Sequence, residues 1–143
     1  MKFDPNVWGP HYWFFLFTVG ISYPLKGNEV SKKKYYEFIH NFPLFIPDKH
    51  IGNDFSKLLD KYPVTPYLES RDMFLRWIHF IHNRINILLG KKEISFENAM
   101  VEYYDHYKED KEIKENFFLF KRIYIYIITV FFFLVLAFLL YRS

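Results

Sequence analysis

Two short stretches carry the residue types and spacings from which chemistry could be built. In the first, Pro47 stops one helical pattern and Asp48 stands where the N-cap of the next belongs, followed by Lys49, His50 and Ile51. A helix mouth of this kind offers unpaired N–H groups and a partial positive charge, which lower a thiol pKa and favour thiolate, so it is a good place for a reactive cysteine. No thiol is available there, because the 143 residues contain no cysteine. In the second stretch, His82, Asn83 and Asn86 fall within one helical turn, so their side chains can converge on one ligand. Lys91 follows just beyond the end of that helix.

Other chemistries find less support. His50 and Asp54 lie four residues apart and His79 and His82 three, so either pair could share a helix face, but spacing fixes no third ligand and no metal site is expected. No elbow motif supports a Ser/His/Asp hydrolase. Zero cysteines exclude disulfides, thiolate nucleophiles, Cys-ligated zinc and iron–sulfur clusters within this sequence. The net charge of +3 comes from basic residues dispersed among acids rather than gathered on one face, so nucleic-acid binding is not indicated.

The elements that must position these residues read as helices. Met1–Pro10 contains Asp-Pro and Gly-Pro and reads as a turn leading into an apolar helix over Tyr12–Ser22, ended by Pro24. Lys26–Lys34 reads as a polar linker, with Ser31 capping a helix through Tyr35–Phe42. Phe38, Ile39, Phe42, Phe45 and Ile46 recur at helical spacing, bent by Pro43. Phe55, Leu58 and Leu59 give the apolar face of the helix that Asp48 opens. Beyond a Pro63…Pro66 loop, Ser70 caps a long helix, Arg71–Leu89, whose stripe runs through Phe74, Trp77, Ile78, Ile81, Ile85 and Leu88 to Gly90. Ser95–Tyr107 reads as a short further helix and Lys108–Glu115 as a solvated charged connector. The expected fold class is all-α: a four-helix bundle with a short fifth helix. An aromatic share of 23% supplies a core of large side chains.

Three blocks, in order, resemble the Erv/ALR family of FAD-dependent sulfhydryl oxidases over about residues 8–104. Trp8-Gly9-Pro10-His11-Tyr12-Trp13 with Tyr23-Pro24 is similar to the family's opening Trp-Gly-x-x-x-Trp…Tyr-Pro helix. Phe45-Ile46-Pro47 precedes the place of the redox Cys-x-x-Cys, whose two cysteine positions fall on Asp48 and Ile51. His82-Asn83-Arg84-Ile85-Asn86…Leu89-Gly90-Lys91 resembles the segment that in relatives holds the FAD adenine and phosphates. The resemblance implies cofactor contacts at Trp13, Tyr23, His82, Asn83, Asn86, Lys91 and Tyr103, with Lys91 approaching a pyrophosphate as a point charge. It also implies a family Leu-His pair at Leu16-Phe17, where the histidine is absent. Core packing is the alternative for both tryptophans. With no dithiol to cycle, the expectation is a pseudoenzyme: no catalytic residue, no required cofactor, FAD an alternative.

Ile123–Tyr141 is an uncharged apolar run, roughly 28 Å long as a helix and near the ~30 Å hydrocarbon thickness, so one C-terminal transmembrane helix is expected. Lys121 and Arg122 before it and Arg142 after it would reach the two interfaces, and Lys111 and Lys114 add to the excess that places the bundle on the cytosolic face. The expected domains are a bundle over 1–107, a connector over 108–122 and a membrane helix over 123–141. The expected partners are a lipid bilayer and other membrane or capsid proteins, with a possible homodimer. The resemblance to small members from large DNA viruses implies a structural or assembly component, associated with a virion inner membrane or capsid.

Overall fold

Helix α1 spans Pro5–Ser22 and begins where Asp4 accepts a hydrogen bond from the Asn6 N–H at 2.8 Å. Pro5 at the first helical position needs no partner for its missing donor, so the helix starts well before Tyr12 and the expected N-terminal turn is largely helical. Pro10 sits inside it. The computed structural model describes residues 3–142; for 109–118 and 133–142 it describes the course of the helix and not the side chains.

Helix α2, Glu29–Asn41, is capped by Asn28 rather than Ser31. Asn28 accepts from the Ser31 N–H at 2.8 Å and the Ser31 hydroxyl accepts from the Asn28 N–H at 2.9 Å, a reciprocal box that explains why the helix reaches back into the expected linker. Pro43 turns the chain into one tight 3₁₀ turn, Phe42–Phe45, and α3 follows at Lys49–Lys61. A second 3₁₀ turn, Thr65–Glu69, leads to α4, Arg71–Leu88, with Ser70 as its cap.

Packing against α4 sets the position of α1. A methyl group on Gly20 would fall 2.8 Å from the side-chain ends of both Leu75 and Ile78, which would have to shift to admit it, so α1 and α4 run close at this glycine. The same seam buries Leu16, Phe17, Phe74, Trp77, Ile78, Ile81 and Ile85, and Ile39, Phe42, Phe55 and Leu59 extend the core toward α2 and α3. Each such side chain contributes about 1.5–3 kcal/mol by leaving water. At the far end of α1, Tyr23 is fully buried and its hydroxyl donates to the Leu68 carbonyl at 2.6 Å, fastening the helix to the turn before α4.

Helix α5 runs from Phe96 to Arg142 as one 47-residue element. The chain divides into two compact units, Met1–Val101 and Glu102–Ser143, the second holding most of this helix. The expectation of a C-terminal transmembrane helix is overturned: among the described residues no helix is long and apolar enough to cross a membrane. Within the expected span, residues 123–132 are exposed, ten positions against the ~20 a span requires, and residues 133–141 lie outside those whose side chains are described. The single-pass C-terminal anchor, the cytosolic placement of the bundle and the virion inner membrane fall with it.

Candidate functional site

At the mouth of α3, Asp48 has the extended backbone of an N-cap, and one carboxylate oxygen accepts from the N–H groups of His50 at 2.8 Å and Ile51 at 3.2 Å. The preceding 3₁₀ turn aims the chain into this position and is pinned to α1, where the Tyr12 hydroxyl donates to the Phe45 carbonyl at 2.9 Å. A carboxylate here satisfies the donors of the first turn and complements the helix dipole. It has no two-electron oxidised partner, and Ile51, half-buried one turn on, supplies only hydrocarbon.

The second centre lies where α1 meets α4. The His82 imidazole stacks on the Trp13 indole at 4.3 Å between ring centroids and 29° between planes, and the Phe17 ring stands edge-on to it at 6.0 Å. Trp13 stacks in turn on Phe55 of α3 at 6.2 Å. Removal from water, then the positive charge of His79 and of Lys91, push the His82 pKa down to about 4. The ring is therefore neutral at pH 7, and its Nδ1 is buried with no hydrogen-bond partner among the described residues. A neutral, unpaired ring nitrogen beside a wide aromatic face suits a flat heteroaromatic ligand.

Lys91 is placed by the end of α4. Gly90 takes φ +69°, its N–H donates to the Ile87 carbonyl at 3.0 Å, and the Lys91 N–H donates back to the Asn86 carbonyl at 2.8 Å. This is the helix-ending pattern that glycine favours, and it fixes the backbone of the lysine while its side chain stays exposed. Asn86 thus contributes its carbonyl to holding Lys91, and its side chain is half-buried.

Asn83 is buried and turned to other work. Its Nδ2–H donates to the Ile94 carbonyl at 2.9 Å and its Oδ1 accepts the Ile94 N–H at 3.0 Å. His79 Nε2 lies 2.8 Å from the same carbonyl, which can only accept, so the proton of His79 sits on Nε2. Both polar atoms of Asn83 are thereby engaged by backbone. Tyr23 is engaged likewise at Leu68 and packs against Tyr35 and Phe74. Tyr103 belongs to the second unit, buried, with its hydroxyl 2.8 Å from that of Tyr107. Of the residues singled out in the sequence, the structure brings Trp13 and His82 into ring contact, while Lys91 follows the end of α4 with its side chain exposed.

Sequence reasoning missed three participants. Phe17 was read only as the loss of a histidine, yet it covers one edge of His82. His79 was weighed only as half of a metal pair, and among the described residues no group of three metal-ligating side chains assembles. Ile94 acts through its backbone, which no residue-type signal could reveal.

The Erv1/Alr family model matches residues 10–108, the span that includes both centres. A probable FAD-linked sulfhydryl oxidase of Acanthamoeba polyphaga mimivirus is 32% identical over 98 residues, 68% of this chain and 68% of that protein. The mitochondrial FAD-linked sulfhydryl oxidase ERV1 of Saccharomyces cerevisiae is 30% identical over 88 residues, 62% of this chain but 46% of its own length, so the chain spans less than half of that relative. The crystal structure of the FAD binding domain of Erv1 from Saccharomyces cerevisiae superimposes with a TM-score of 0.65 at 26% identity, covering 73% of this chain and 97% of that one. From the matched residues and the shared helical arrangement, the chain belongs to the Erv1/Alr family.

Proposed function

We propose that this chain is a thiol-silent member of the sulfhydryl oxidase family that serves as a structural or assembly module. The observation that carries the reading is Asp48: where the family's chemistry needs a sulfur, a carboxylate caps α3 with two hydrogen bonds, and none of the 143 residues is a cysteine. Thiol oxidation passes two electrons through a disulfide, and neither an aspartate nor an isoleucine can form one. The test is oxygen uptake by the purified protein supplied with dithiothreitol or a reduced protein substrate. The expected rate equals that of buffer; uptake proportional to protein concentration would overturn the reading.

A second reading, retention of FAD, is favoured by one observation. His82, whose Nδ1 is buried and unpaired, stacks on the Trp13 indole, an arrangement suited to an adenine, and Lys91 follows at the end of the same helix as a charge for its phosphates. Trp13, His82 and Lys91 would hold the group. A bound flavin supplies two-electron redox chemistry; the residues of this chain bind and orient it and deliver no dithiol to it. A flavin absorbance band in protein purified without added cofactor supports retention. A colourless protein that unfolds cooperatively, and whose melting temperature is unmoved by FAD, opposes it.

A further inference from the structure

Residues 90–99, the connector after α4 and the first turn of α5, are fastened to α4 mainly by side chains of that helix rather than by a buried face of their own. We infer that this segment is a strap: it lies closed over His79 and Asn83, and it opens from α4 as a local unit, pivoting at Gly90, while the bundle stays folded.

The fastenings are polar or lie at the rim of the core. Ile94 is held through its backbone, its carbonyl accepting from Asn83 Nδ2–H at 2.9 Å and its N–H donating to Asn83 Oδ1 at 3.0 Å. His79 Nε2–H donates to the same carbonyl at 2.8 Å, so both lone pairs of that oxygen are taken from α4. Arg84 pairs with Glu93, the residue before Ile94. Two residues further on, the Phe96 ring carries the Arg76 guanidinium 4.6 Å above its centre and meets the His79 imidazole edge-on at 5.5 Å. Ser95 between them starts α5, its hydroxyl accepting from the Asn98 N–H at 3.2 Å and its carbonyl from the Ala99 N–H at 3.0 Å.

Within the strap only Ala99 is buried; residues 90–93, Ser95, Glu97 and Asn98 are exposed. Lifting it therefore gives up a few hydrogen bonds that water can replace and exposes little hydrocarbon, whereas opening the bundle exposes Phe74, Trp77, Ile78 and Ile81. A segment with few buried apolar contacts and exposed backbone opens at a lower free energy than the core beside it. Gly90, at φ +69°, supplies the pivot, since glycine enters either sign of φ without a steric penalty. With the strap lifted, the His79 Nε2–H and both polar atoms of the Asn83 amide are freed on α4, a donor and acceptor set closed off while it is down.

The experiment needs no ligand and is independent of both readings of the site. Amide exchange and limited trypsin digestion are measured on the full chain, with nicks at Lys91 or Lys92 located by mass; cleavage there tracks the population of the open strap. Asn83→Leu keeps the volume and removes the amide, and should speed both Ile94 exchange and the nick about tenfold. Ile39→Val, in the core of α2, should speed exchange of the α4 core amides of Ile78 and Ile81 about fivefold and leave Ile94 and the nick unchanged. If Asn83→Leu does not fold, His79→Phe is read in its place, since it keeps a ring edge for Phe96 and removes the third bond. Ile94 exchange and the nick rising with the core amides in Ile39→Val would show that the strap opens only with the bundle, and would overturn the inference. So would an Asn83 or His79 variant in which neither moves.

Discussion

Replacing His82 by Phe should flatten the acid side of the stability profile. In the folded chain the imidazole titrates near 4 because burial and two neighbouring positive charges disfavour its protonated form, whereas in the unfolded chain it titrates near 6.5. Between those values the unfolded state binds the extra proton, so unfolding becomes easier as pH falls. The stability this residue gives at pH 7 is complete above 6.5 and is lost progressively down to about 4. Integrating across the two titrations gives a loss of about 2.5 kcal/mol between pH 7 and pH 4.5, and about 3 kcal/mol at lower pH. Phenylalanine keeps an aromatic ring against Trp13 and carries no proton. The assay is urea unfolding of both proteins at pH 7 and pH 4.5. The remaining histidines and the carboxylates titrate in both, so the difference between the two pH dependences isolates His82. Expected is a wild-type loss exceeding that of His82→Phe by about 2.5 kcal/mol. Equal losses, within the error of extrapolation, would refute the argument that a buried neutral imidazole occupies the α1–α4 seam.

Two further substitutions probe the elements on either side of the site. Asp48→Ala should cost about 1 kcal/mol by freeing the N–H groups of His50 and Ile51, while Asp48→Asn, which keeps the acceptor, should stay within a few tenths; chemical denaturation of the pair of variants measures both. Tyr23→Phe should cost about 1–3 kcal/mol, since it strands the buried Leu68 carbonyl, and the loss should appear as a lower thermal midpoint with helix content unchanged.

The sequence showed α3 and α4 to within a residue because each is announced by a cap with a single reading, Asp48 and Ser70. It placed the starts of α1 and α2 too late, since Asp4 with Pro5, and Asn28 with Ser31, are equally good turn signals when read without the helix that follows. At the site, Trp13 and His82 were named from the family resemblance, and the structure sets their rings in contact where α1 meets α4. Asn83 and Tyr23 were legible as polar groups near that face but not as to their partners. A buried amide or hydroxyl takes whatever backbone the fold brings to it, and Ile94 and Leu68 reach those places only through the path of the connector and of a 3₁₀ turn. The membrane helix was drawn from the length of one uncharged run and its flanking basic residues, and the structure gives instead a single helix, α5, unbroken from Phe96.

The two centres of the site answer differently to the loss of sulfur. At the mouth of α3 the fold needs an acceptor for two N–H groups, and the Asp48 carboxylate meets that need, so the helix keeps its start with no sulfur at that position. At the α4 edge the reverse holds. An unpaired Nδ1 in the seam is a cost of roughly 1–3 kcal/mol that a phenylalanine would avoid, and Lys91 held close by adds to the cost of protonating that ring. Packing alone does not require such an arrangement, because Trp13 and Phe17 already supply the apolar surface. A polar group kept buried at a net cost is what the proposed flavin reading would use, just as the carboxylate at the mouth of α3 is what the proposed thiol-silent reading rests on.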